Sequence, residues 1–137
     1  MLLLLNKPYG VLCQFTDAGG RPTLAGLVDV PAVYPAGRLD FDSEGLVLLT
    51  DEGPLQARIA SPAHALGKTY LVQVEGAVDA DAAACLMAGV TLRDGPARAV
   101  HAGVVDAPAL WPRTPPIRVR RHIPDHWLEI VLDEGRN

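Results

Sequence analysis

Glycine and proline together supply 25 of the 137 residues (13 Gly and 12 Pro), and this punctuation constrains the fold more than any other feature. It favours many turns and short strands over long helices. The length fits one compact domain. Apolar residues make up 49% and charged residues 20%, enough for a core, which excludes disorder for the chain as a whole. Aromatics are 5%, so aliphatic side chains must fill that core. The apolar run over residues 2–5 is far short of the ~20 residues of a membrane span. It has no basic residue ahead of it and no cleavage-like segment behind, so it does not read as a signal peptide. Cys13 and Cys85 lack metal or redox spacing and read as reduced, buried thiols of a cytoplasmic protein.

The apolar pattern predicts strands over 2–5, 11–15, 45–50, 69–74, 97–105 and 127–132, with interrupted extended chain over 33–39. Residues 6–10 read as a turn and 17–22 as a glycine-rich loop. Leu46-Val47-Leu48-Leu49 is continuously apolar, as in a strand buried on both faces. Thr23 caps a short helix reaching residue 28. A second helix covers 54–60, with Pro54 in its first turn. The clearest helix runs over 79–88, with Asp79 as N-cap and Gly89 at its end. Strands and helices do not alternate regularly. The expectation is therefore α+β, with a mixed, mainly antiparallel sheet and a few helices.

The most unusual stretch is Gly37-Arg38-Leu39-Asp40-Phe41-Asp42-Ser43-Glu44-Gly45, with carboxylates at alternate positions. Asp40, Asp42, Glu44, Gly45, Val47 and Asp51 match much of an EF-hand calcium loop. The surroundings argue against that reading. Pro35 and Gly37 spoil a preceding helix, 46–49 looks like a strand, Leu48 offers no ligand, and Asp51 is shorter than the usual Glu. Asp42 and Glu44 read more simply as solvated acids. Asp40 sits beside Arg38 at the edge of a strand. A nearby guanidinium would favour an ionised carboxylate, fit to act as nucleophile or base. Spacing alone leaves that balanced against a structural ion pair.

The same stretch, continued through Leu46-Val47-Leu48-Leu49-Thr50-Asp51-Glu52-Gly53, resembles the central signature of the RsuA/RluB/E/F group of pseudouridine synthases. Leu5-Asn6-Lys7-Pro8-Tyr9-Gly10-Val11 is similar to that group's first motif, and Gly67-Lys68-Thr69-Tyr70-Leu71-Val72 to its Lys-x-Tyr strand. Leu132-Asp133-Glu134-Gly135-Arg136-Asn137 resembles the first half of its last motif, which continues in an arginine-rich run. The four motifs stand in the right order, and the resemblance covers essentially the whole chain. The resemblance implies the fold of the pseudouridine synthase catalytic domain, here over 1–137. It also implies that the domain is incomplete at its C-terminus and that no S4-like RNA-binding domain precedes it.

The resemblance further implies an isomerase that converts a uridine of 23S ribosomal RNA to pseudouridine, with no cofactor and no metal, acting as a monomer. Asp40 would be the essential carboxylate. Arg38 would pair with it and help hold the flipped nucleotide, and Tyr70 would stack on the target base. The residue types suit the chemistry: a carboxylate stabilises or captures positive charge on the sugar as the glycosidic bond breaks. An aromatic ring replaces stacking lost when the uridine leaves its helix. Taken alone, Tyr70 would pass for an ordinary strand aromatic. Lys7 and Lys68 would sit near the cleft, although Lys7 reads more as part of a structural turn than as a substrate contact.

The net charge of −4 conceals a local basic stripe. Arg113, Arg118, Arg120 and Arg121 lie in an acid-free segment, and they join Arg136 as candidates to contact the RNA backbone. The alternative is a solvated proline-rich loop. Trp111 and Trp127 read as core or loop-packing residues. His122 and His126 have metal-like spacing, which Pro124 weakens. A second functional reading, from another class, is an RNA-binding fragment without turnover.

Overall fold

The computed structural model describes residues 1–135, so Arg136, one of the RNA-contact candidates, lies outside the described residues. The chain divides into two compact units: Met1–His64 with Arg113–Pro115, and Ala65–Pro112 with the chain from Pro116 on. Among the described residues all the strand ladders are antiparallel. One isolated bridge among them, Leu12 to Thr23, is parallel. Two α-helices among the described residues accompany the sheets, which is the expected α+β class.

The first unit is built on a three-stranded sheet. Strand β1 (Leu2–Lys7) pairs with β3 (Gly45–Thr50), which also pairs with β2 (Tyr34–Pro35). Register places Leu3 opposite Leu49 and Leu5 opposite Val47. These residues share one face, as strand alternation requires, and pack with Val11, Cys13, Leu24 and Val33 into the core of this unit. The other face carries Leu2, Leu4 and Leu46 into solvent, with Leu4 70% exposed. Within the run 46–49, Val47 and Leu49 are therefore buried on the core face, while on the other face Leu46 is exposed and Leu48 half-buried. Helix α1 (Gly53–Ala60) follows β3, with proline in its first turn. Its Gln56 Nε2 donates to Pro35 O at 3.1 Å. The Met1 amine bonds Asp51 and Glu52, and Thr50 Oγ1 donates to Met1 O, which closes the sheet's end.

Two further expectations fail in this unit. Asn6 and Lys7 belong to β1 rather than to the turn. Residues 11–15 form no strand: Leu12 N donates to Pro22 O and Leu24 N to Gln14 O, so the segment pairs with its own returning loop. That loop leads into a short 3-10 turn, Leu24–Gly26, capped by Thr23 Oγ1 as expected.

In the second unit, β8 (Asp125–Leu132) lies between β4 (Lys68–Glu75) and β7 (His101–Val105). Helix α2 (Ala80–Ala88) has Asp79 as N-cap, its carboxylate accepting from Ala82 N at 2.9 Å. Ala83 of α2, with Ala99 and Ala102, forms the small core of this unit. The strand predicted over 97–105 is split. Its start is β6 (Gly95–Ala97), in a hairpin with β5 (Val90–Leu92), and its end is β7 on the larger sheet. Cys13 is buried as expected, but Cys85 is exposed because it lies on the outer side of α2. Trp111 is exposed as well and fills no core, while Trp127 is half-buried on β8. No helix among the described residues is long and apolar enough to cross a membrane.

Candidate active site

Asp40 lies in the first unit, on the connection from β2 to β3. Ser43 N donates to Asp40 O at 3.1 Å, closing a turn over the sequence Asp40-Phe41-Asp42-Ser43. Phe41 O ties this turn to the one following β1. It accepts from Gly10 N at 2.9 Å and from Lys7 Nζ at 3.5 Å. Gly10 sits at φ +75°, a left-handed conformation that suits glycine. The Asp40 side chain is exposed. The turn therefore has a fixed backbone and presents an accessible carboxylate.

Lys7 is the anchor of this arrangement. It is completely buried, and its Nζ donates to Pro8 O at 2.9 Å and Val11 O at 2.8 Å as well as to Phe41 O. No carboxylate lies within ion-pair distance of it among the described residues. Burial pushes its pKa below the usual lysine range, and the fields of Cys13, Glu44, Asp42 and Asp40 oppose that shift. In this conformation Lys7 reaches three carbonyls and no solvent, which is the geometry of a structural turn rather than of a phosphate contact.

Arg38 is exposed, two residues before Asp40. Its Nη2 donates to Gln14 Oε1 at 3.0 Å, and no ion pair with Asp40 forms among the described residues. The pairing expected from adjacency gives way to a partner 24 residues earlier in the chain. Arg113 also belongs to this unit. Its guanidinium lies 4.2 Å from the centre of the Tyr9 ring, and its Nε donates to Pro115 O at 2.7 Å. Tyr9 immediately precedes Gly10, so Arg113 stands at the turn that holds Phe41. Gln14 and Tyr9 are the contacts that sequence reasoning missed: Tyr9 lies within the first motif but carries no assigned role there, and nothing local in the sequence marks Gln14.

The remaining candidates belong to the second unit. Lys68 and Tyr70 lie on β4, opposite Leu132 and Ile130 of β8, and both side chains are exposed. Arg118, Arg120 and Arg121 are exposed on the loop before β8, and Arg120 Nε reaches Glu75 Oε1 at 3.5 Å. His126 is a strand residue opposite Val74. The stretch that matched a calcium loop continues directly into β3, the central strand of its sheet, where an EF-hand would enter a helix. No group of three or more His, Cys, Asp or Glu side chains among the described residues is placed to hold a metal ion.

Comparison with known proteins gives a consistent result. The chain is 56% identical over 140 residues to the ribosomal large subunit pseudouridine synthase E of Xanthomonas campestris, covering 100% of this chain and 75% of that protein. It is 49% identical to the protein of the same name from Vibrio parahaemolyticus, covering 99% of this chain and 57% of that one. A crystal structure of a pseudouridylate synthase superposes with a TM-score of 0.74 at 33% identity, over 99% of this chain and 52% of that chain. Residues 1–137 match the RNA pseudouridylate synthase family, and the chain belongs to it.

Proposed function

We propose that this protein isomerises a uridine of the large-subunit 23S ribosomal RNA to pseudouridine, in the cytoplasm, as a monomer and within one catalytic domain. The observation that carries the proposal is identity of 56% and 49%, across essentially all of this chain, to relatives named ribosomal large subunit pseudouridine synthase E. The reaction conserves every atom. The C1′–N1 bond breaks, C5 bonds to C1′, C5 gives up its proton and N1 gains one. No oxidant, reductant or hydrolytic water enters that balance.

Asp40 is assigned to the reacting sugar, where its carboxylate stabilises or captures the positive charge that develops as C1′–N1 breaks. Its exposure and the pinned backbone of its turn support the assignment. Arg38 is assigned to holding the flipped nucleotide. Tyr70, an exposed strand aromatic, is assigned to stacking on the target uracil, which replaces stacking lost on leaving the RNA. Lys68, Arg113, Arg118, Arg120 and Arg121 are assigned to the RNA backbone.

The test is carbodiimide adduct mapping on an unmodified large-subunit ribosomal RNA transcript. One new reverse-transcription stop is expected after incubation with the protein. Tight RNA binding with no adduct-reactive site would favour the RNA-binding reading instead. The arginine assignment has a separate readout. Each phosphate contact contributes roughly 0.7–0.9 to the slope of log K against log salt. The triple variant Arg118→Gln, Arg120→Gln, Arg121→Gln should lower that slope by about 2, measured by fluorescence titration across salt concentrations. An unchanged slope would make the stripe a solvated loop.

A further inference from the structure

The loop between Val11 and Thr23 has no part in the chemistry assigned so far, yet it is tightly built. Arg21 donates to both oxygens of Asp17, from Nε and Nη2, each at 3.1 Å. Arg21 N adds a third bond to the same carboxylate, and this set holds the Asp17 carboxyl below its usual pKa. Thr23 Oγ1 donates to Phe15 O at 3.3 Å. At the start of this loop stands Gln14, half-buried, with its carbonyl accepting from Leu24 N at 2.9 Å.

The Gln14 amide is held at both ends. Nε2 donates to Thr16 O at 2.7 Å, and Oε1 accepts from Arg38 Nη2 at 3.0 Å. The polarity of these two contacts fixes the amide's orientation. Turned over, it would set its NH2 against a guanidinium and its oxygen against a carbonyl. The Arg38 guanidinium carries five N–H donors in a rigid fork. Gln14 takes one of them and fixes the plane of the rest.

We propose that Gln14 is a positioning residue. It holds the Arg38 fork in one orientation, with its other donors presented to the phosphate beside the target nucleotide, and it acts on RNA only through Arg38. This rests on the assignment of Arg38 to the nucleotide. The loop 14–23 is then a rigid bracket whose output is the direction of one guanidinium. A fork already oriented loses less conformational freedom on binding, so the contribution appears in affinity rather than in turnover.

The test is a double-mutant cycle on affinity for an unmodified ribosomal RNA transcript, using Gln14→Met, Arg38→Met and the double variant. Gln14→Met keeps the shape of the side chain and removes its polar atoms. It should weaken binding about tenfold and raise KM in parallel, with kcat changed less than about threefold. In the Arg38→Met background it should change binding less than about twofold. Gln14→Ala repeats the cycle in case the methionine disturbs the loop, and the thermal midpoint of each variant is recorded alongside. Equal losses in both backgrounds, or no loss in either, would overturn the role of Gln14 while leaving Arg38's intact. Wild-type binding by Arg38→Met would instead sink the assignment of Arg38, and the proposal with it.

Discussion

Asp40→Asn is expected to remove pseudouridine formation while leaving the protein folded. Asparagine has the same shape and retains a carbonyl oxygen, but it carries no negative charge for the developing positive sugar and is a poor nucleophile or base. The rate should fall by about 10³-fold or more, within the range that loss of a positioned acid–base or nucleophilic group produces. Stability should stay within about 0.5 kcal/mol, because the side chain is exposed and makes no ion pair among the described residues. The Asp40 backbone carbonyl, not its carboxylate, closes the turn with Ser43. Single-turnover adduct mapping and thermal unfolding on the same preparation separate the two effects. A variant that modified RNA at the wild-type rate would remove Asp40 from the chemistry.

Lys7→Met is expected to have the largest effect on the fold. Methionine fills a similar volume but leaves Pro8 O and Val11 O without their donor, and it releases Phe41 O from one of its two. Each buried acceptor left unpaired costs about 1–3 kcal/mol. Removing a buried charge offsets part of that loss, since burial already lowers the Lys7 pKa. The net destabilisation should be about 2–4 kcal/mol, or a fall of roughly 10 °C in Tm for a domain of this size. The sign of the pH dependence follows from the direction of the shift. With the folded pKa below the unfolded 10.5, the unfolded chain binds more protons just under that value. Wild-type stability therefore gains from this group as pH rises toward 10.5, and the cost of Lys7→Met grows over the same window. Urea unfolding of both proteins at several alkaline pH values measures it. A cost that shrank with pH would contradict the burial of an ammonium at this position.

The elements that could be located from the sequence were those whose pattern is local. The 79–88 helix carries its own cap in Asp79, and β3 and β4 announce themselves as apolar runs bounded by glycine. Expectation failed where pairing was decided at a distance. Residues 11–15 are apolar and partly buried, which resembles a strand, but their backbone partners lie on the returning loop at Pro22 and Leu24. Residues 97–105 are mostly apolar but serve two sheets, because residues 98–100 leave the ladders between them and Ala99 N bonds Leu86 O of α2. The face of β3 carrying Leu46 read as core because a run of four apolar residues does not record how many layers cover it.

The candidate site divides in the same way. Motif likeness nominated Asp40 and Arg38 as site residues. It did not supply Arg38's partner, which depends on a glutamine 24 residues earlier and on a loop shaped by an Asp–Arg fork. The acids at 42 and 44 are exposed, as the simpler reading of solvated carboxylates expected.

The protein contains only two lysines, Lys7 and Lys68. One is sealed beneath the turn that carries Phe41, and the other stands in solvent on β4. An amine-reactive reagent therefore finds a side chain at Lys68 whenever the protein is folded, but reaches Lys7 only when the first unit opens. The ratio of label at the two positions, read by peptide mass, is a built-in clock for opening of the segment that holds the Asp40 turn. It requires no engineered probe, and RNA that closes over this unit would slow it.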